Sequence, residues 1–130
     1  MSVGLLIISH DGIGPAMLGT ATFMLDSCPL PVKLLTASRD CNPDELIADA
    51  SEQIAALDEG EGVLVLTDLY GSTPSNVAKN LSSRTRVRTV SGMNLSMLLR
   101  VFNYPQLDLD QLAEKAKSGG VDGIIMIESK

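Results

Sequence analysis

Short apolar runs rich in β-branched residues alternate along this chain with stretches in which apolar positions return every three or four residues. That alternation predicts βα units around an open, mostly parallel sheet, an α/β fold with helices on both faces. Residues 3–9 are apolar at nearly every position, the pattern of a strand covered on both sides, and the run closes on Ser9-His10-Asp11-Gly12. A helix is expected next, with Pro15 in its first turn and Met17, Leu18, Ala21, Met24 and Leu25 along one stripe, ended by Cys28-Pro29-Leu30-Pro31. Residues 32–36 predict a second strand. Asn42-Pro43-Asp44-Glu45 then sets a capping side chain, a first-turn proline and a third-position acid in register for a second helix. Leu46, Ile47, Ala50, Ile54 and Leu57 carry its stripe until Gly60 and Gly62 break it.

Residues 63–67 read as a third buried strand ending at Asp68, and Thr73-Pro74 has the form of an N-cap and first-turn proline for a helix reaching about Leu81. Residues 87–90 predict a fourth strand, with Arg84, Arg86 and Arg88 on alternate positions of a solvated face. Asn94 is placed to cap a helix over residues 95–102 that is apolar nearly all round, which demands burial on more than one side. Asp108 with Gln111 opens a last helix, Gly119-Gly120 is expected to stop it, and residues 123–127 are expected as a final strand.

At 130 residues the chain has room for one domain, 1–130, with a modest core. Sixteen acids against ten bases leave a formal charge of −6, so a polyanion held on a basic surface is disfavoured and nucleic acid drops out as a partner. Aromatic residues are 3% of the chain and Trp is absent, which leaves no base-stacking platform. The apolar runs fall far short of the roughly 20 residues of a membrane helix, and the N-terminus has no secretory pattern, so a cytoplasmic protein is expected. Two cysteines, Cys28 and Cys41, and one histidine support neither a disulfide framework nor a metal site, and no metal or other cofactor is expected.

Ligands of open parallel sheets bind beyond the carboxyl ends of the strands, where strand order reverses. That edge carries Ser9-His10-Asp11, Ser38-Arg39-Asp40, Asp68 to Thr73, and Gly92-Met93-Asn94. Strand order 2-1-3-4 would make His10 and Asp68 neighbours, with Asp11 pointing away. A carboxylate that accepts from one ring nitrogen fixes the tautomer and leaves the other nitrogen as nucleophile. A helix beginning just after Asp68 aims unpaired N–H groups and a positive dipole end at the same crevice, an anion site. The three features together suggest phosphoryl transfer to and from His10. Singly each is ordinary: a loop histidine, a turn acid, a βα turn at Gly71-Ser72-Thr73-Pro74. The region Gly12-Ile13-Gly14-Pro15-Ala16-Met17 lacks the third glycine of a dinucleotide fingerprint. A rival is a phosphoaspartate receiver in which Asp68 takes the phosphoryl group with Mg²⁺. Such a site wants clustered acids after strand one and a lysine after strand five, and strand one offers only His10-Asp11.

Ser9-His10-Asp11-Gly12, the stretch from Gly62 through Asp68, Gly71, Thr73, Pro74 and Asn76, and Gly92-Met93-Asn94 with Met97 and Leu98 arrive in an order and spacing that resemble one family closely. The chain is similar to enzyme IIA of the mannose family of the bacterial sugar phosphotransferase system over practically its whole length. The resemblance implies a phosphohistidine carrier: His10 would accept a phosphoryl group on Nε2 from the phosphocarrier HPr and pass it to a histidine of a IIB component. Asp68 would hold Nδ1, and Gly71, Ser72 and Thr73 would surround the phosphoryl oxygens, with no metal. It also implies a homodimer in which the last strand, an antiparallel edge strand, is exchanged between subunits. Peripheral association with a permease complex follows, without membrane insertion. Ser72 stands where the family usually has a second glycine, and Ser96 replaces a common proline. No IIB domain is fused within these 130 residues, so the alternative is a regulatory module that reports HPr phosphorylation by binding other proteins.

Overall fold

The structure is a computed structural model that describes residues 2–81 and 86–128. Its elements in chain order are β1 (Gly4–His10), α1 (Ile13–Leu25), β2 (Val32–Ala37), α2 (Pro43–Leu57), β3 (Val63–Thr67), α3 (Thr73–Leu81), β4 (Val87–Ser91), α4 (Leu95–Phe102) and α5 (Leu109–Asp122). The four strands are parallel in the order β2-β1-β3-β4, as the alternation predicts. Arg84 of the alternate-arginine reading lies outside the described residues.

The period of two along the central strands splits the core into two layers. Leu5 and Ile7 of β1 with Leu64 and Leu66 of β3 face α1, α4 and α5, while Leu6, Ile8, Val63 and Val65 face α2 and α3. All eight are fully buried. Burying each such Leu or Ile contributes roughly 1.5–3 kcal/mol relative to leaving it exposed, so β1 and β3 are the best-anchored backbone in the molecule. Their carboxyl ends inherit that rigidity.

The helix signals behave as expected in three places. The Asn42 side chain accepts from the Asp44 N–H at 2.9 Å, Asn94 accepts from Met97 N–H at 2.9 Å, and Asp108 and Gln111 form a reciprocal capping box. Along α1 the stripe holds except at Met24, which is exposed. α4 lies between α1 and α5 over the sheet, so Met97, Leu98, Val101 and Phe102 are buried, with Leu95 and Leu99 packed at their margin. The solvated-face arginines carry partners: Arg86 lies 3.6 Å from Asp58, and Arg88 2.8 Å from Asp110. Cys28 and Cys41 are free thiols.

One expectation at the C-terminal end is corrected. α5 runs straight through Gly119-Gly120 to Asp122, because those glycines are packing contacts and not stop signals. A Cβ on Gly119 would collide with Cβ and Cγ of Arg100, and one on Gly123 would strike Ser96, so the glycines let α5 lie close against α4. Residues 123–127 form no strand within the single chain: Gly123 is the C-cap of α5, and residues 124–127 are between 73% and 92% exposed.

The α4–α5 seam predicts opposite responses at adjacent glycines. Gly119→Ala should lose about 1–3 kcal/mol in urea unfolding, because the clash with Arg100 outweighs the ~1 kcal/mol helix-propensity gain. Gly120→Ala meets first the terminal methyl of Met97, which swings aside, and should be close to neutral. A pH dependence follows from Asp58, whose Oδ1 accepts N–H bonds from Gly60 at 2.8 Å and Gly62 at 3.0 Å. The Gly60 bond, then that of Gly62 and the nearby Arg86, hold its carboxyl below the ordinary 3.8. A lowered folded-state value means stabilisation present above the unfolded value and lost as pH falls through the folded one. The stability advantage of the wild type over Asp58→Asn should therefore stand at pH 6 and shrink as unfolding is measured below about pH 4.

Candidate functional site

His10 is the last residue of β1, with Ala37 of β2 opposite it, and Asp68 is the first residue beyond β3. The parallel register that sets Ile8 against Thr67 brings the two side chains together at the sheet's carboxyl edge. One oxygen of Asp68 does two things: Oδ2 accepts from the His10 backbone N–H at 3.0 Å and lies 2.8 Å from ring Nδ1. Its other oxygen, Oδ1, is buried and takes no hydrogen bond from the described residues. The acid is only 6% exposed and the imidazole 44%, so the carboxylate sits behind the ring and the ring faces out. With an ionised carboxylate at that distance, the proton is assigned to Nδ1 and the lone pair of the neutral ring to Nε2. A ring held in this way is one that can act as an oriented nucleophile through Nε2.

Buried hydroxyls hold the surrounding strand ends. Ser9 Oγ donates to the His10 carbonyl at 3.0 Å and accepts from the Gly14 N–H at 2.9 Å, tying the start of α1 to the end of β1. A Cβ at Gly14 would lie 2.7 Å from that oxygen, so the glycine makes the bond possible. On the other side Thr67 Oγ1 and Ser91 Oγ are 2.7 Å apart, the Ser91 hydroxyl donates to Ser75 Oγ at 3.5 Å, and the Gly71 N–H donates to Ser75 Oγ at 3.2 Å. β3, β4, α3 and the turn before it are thereby joined. Gly71 has φ 84°, a conformation that strains residues with a Cβ. These hydroxyls were not singled out from the sequence, where the only sign is a polar residue closing an apolar strand.

A cleft of about 420 Å³ opens in front of the ring, lined by His10, Asp11, Ala37, Ser38, Arg39 and Thr73. Of the three residues expected around an anion, Thr73 is on this wall. Gly71 and Ser72 use their donors internally: the Gly71 N–H on Ser75, and the Ser72 N–H and hydroxyl on the Leu69 carbonyl. The Ser72 carbonyl accepts from Asn76 N–H at 2.9 Å, so Ser72 is the N-cap and Thr73 the first helical residue, one position from the expected start. Ser72 has no positive φ, so its Cβ is accommodated where the resembled family has glycine.

Asp11, expected to point away, borders the cleft instead: strand alternation stops at His10, and Asp11 enters the turn that Gly12 completes at φ 81°. Asn94 is turned to the helices, capping α4 while its amide donates to the Gly120 carbonyl at 3.1 Å. A larger hollow of about 650 Å³ lies between α3 and the β4 edge, lined by residues including Tyr70, Ser75 and Thr89, and does not reach His10. Among the described residues no group of three or more His, Cys, Asp or Glu side chains is placed to hold a metal ion.

Comparison with known proteins identifies relatives in sequence and in fold. The chain is 26% identical to the PTS system mannose-specific EIIAB component of Escherichia coli K12 across its whole length, while spanning 41% of that protein. It is 30% identical over 113 residues to the transcriptional regulatory protein LevR of Bacillus subtilis, covering 82% of this chain and 12% of LevR. The mannose/sorbose-specific IIA subunit from Enterococcus faecalis has the same fold, with a TM-score of 0.86 at 23% identity over 100% of this chain and 98% of that one. Residues 4–117 match the family model described as PTS system fructose IIA component, and the chain therefore belongs to that family of phosphotransferase-system IIA domains.

Proposed function

We propose that this IIA domain is a phosphohistidine carrier that takes a phosphoryl group from HPr on His10 Nε2 and delivers it to a histidine of a IIB component. The observation that carries the reading is the 2.8 Å contact between Asp68 Oδ2 and His10 Nδ1 with the opposite ring edge open to the cleft. In the forward step the Nε2 lone pair attacks phosphorus, the P–N bond to the donor imidazole breaks, and its electron pair returns to the donor nitrogen. The proton on Nδ1 stays in place. Positive charge grows on the His10 ring as Nε2 shares its pair, and the Asp68 carboxylate stabilises it. Thr73, at the positive end of α3, offers its N–H and hydroxyl side of the cleft to the phosphoryl oxygens, and Gly71 and Ser72 shape the turn that sets Thr73 there. Phosphoryl transfer asks mainly for such positioning and charge placement, and it needs no metal here.

The carrier acts as a homodimer in this reading. β4 is an edge strand of the parallel sheet, and the apolar side chains of Ile124, Ile125, Met126 and Ile127 are exposed in the single chain, which supports their exchange as an antiparallel strand onto a second copy. No helix among the described residues is long and apolar enough to cross a membrane, which fits a cytoplasmic domain that meets a permease complex peripherally. The match to LevR favours a second reading, a regulatory module whose partner affinity follows the phosphorylation state of His10.

Incubation with phosphorylated HPr should add one phosphoryl group by mass spectrometry, lost in His10→Ala; a wild type that stays unmodified would overturn the carrier. The adduct should survive base and decay in acid, whereas an acyl phosphate on Asp68 would break down in base. Asp68→Asn should slow phosphorylation by about tenfold or more and shift the ¹⁵N resonances of the His10 ring away from the Nδ1–H tautomer. An unchanged rate and unchanged resonances would remove Asp68 from the mechanism.

A further inference from the structure

Of the described arginines, Arg86, Arg88 and Arg100 each lie within ion-pair distance of an aspartate: Asp58, Asp110 and Asp122. Arg39 has no such partner among the described residues, although Asp40 is its neighbour in the chain. Its position is determined by the sheet. Ala37 closes β2 directly opposite His10, and two residues later Arg39 sits in a turn fixed by the Cys41 N–H donating to the Ser38 carbonyl at 3.1 Å. Arg39 thus stands on the cleft wall with His10, on the β2 side, while Thr73 stands on the α3 side.

The charge arithmetic of that cleft is unfavourable without it. A phosphoryl group brings a charge of about −1.5 to −2 near neutral pH into a chain whose formal charge is already −6, on a wall that includes Asp11. Thr73 supplies neutral donors only, and Asp68 is itself an anion. Among the described residues Arg39 is the one permanently cationic side chain lining the cleft, and a guanidinium presents paired N–H donors that match two phosphoryl oxygens.

We infer that Arg39 is a phosphoryl-binding residue, clasping two oxygens of the group carried on His10 Nε2 from the β2 side of the cleft. This rests on the carrier reading for its donor and acceptor, but not for the contact itself. The side chain forms and breaks no covalent bond; it neutralises charge during arrival, residence and departure of the group.

The test uses two phosphoryl donors, phosphorylated HPr and the small molecule phosphoramidate, on wild type, Arg39→Ala and Arg39→Lys. His10 is the only histidine of the chain, so a single phosphohistidine signal is followed by ³¹P NMR. With HPr, Arg39→Ala should be phosphorylated about tenfold more slowly, and Arg39→Lys should recover part of the rate. With either donor, the ³¹P titration of the phosphohistidine should move to higher pH in Arg39→Ala, because loss of a neighbouring cation favours the more protonated phosphoryl group. A ³¹P titration identical in wild type and Arg39→Ala overturns the inference, even if transfer from HPr slows, since the arginine would then be reading the donor protein. If phosphoramidate labels the protein with an Arg39-dependent titration while HPr does not label it, the inference stands and the HPr-fed carrier falls.

Discussion

Everything at the functional edge depends on a single carboxylate oxygen. Asp68 Oδ2 holds both the backbone N–H of His10 and its ring Nδ1, so one atom sets where β1 ends and which way its imidazole faces. The arrangement is available because β1 and β3 are adjacent and parallel, and because eight buried apolar side chains on those two strands leave them little freedom to slide. Packing in the core, far from the cleft, is thus what gives the ring its aim.

The strand ends are secured differently from the strand centres. Apolar burial on two faces fixes β1 and β3 along their length, but at the carboxyl edge hydroxyls take over. Ser9 links β1 to α1, and the sequence of Thr67, Ser91 and Ser75 links β3, β4 and α3 to the Gly71 turn. Short hydroxyl side chains reach neighbouring backbone without filling the space a ligand would need, so they suit the floor of a crevice better than longer amides or apolar groups.

Much of this was legible in the sequence because it is written in local pattern. The strand order, the caps at Asn42, Asn94 and Asp108, and the meeting of His10 with Asp68 all follow from periodicity and from the rule for where parallel sheets bind ligands. What was not legible depends on close contacts between elements. Gly119 and Gly120 look like a helix stop in isolation and become a docking surface only against Arg100 and Met97. Asp11 departs from the alternation of β1 because it already belongs to the turn that Gly12 completes. The inward turn of the Gly71 and Ser72 donors needs the Ser75 hydroxyl and Leu69 carbonyl in space, which no spacing along the chain reveals. Residues 123–127 have a strand's composition, but within one chain they pair with no strand and residues 124–127 stay exposed.

The bare, buried Oδ1 of Asp68 has a consequence of its own. A carboxylate is unchanged by a half-turn about its last side-chain bond, so either oxygen serves the histidine equally and the site has no wrong way up. An amide in the same place would lose that twofold symmetry: one orientation would set an NH₂ against the donors of His10, and the other would bury the NH₂ where Oδ1 now lies. Aspartate here is as much an answer to geometry as to charge.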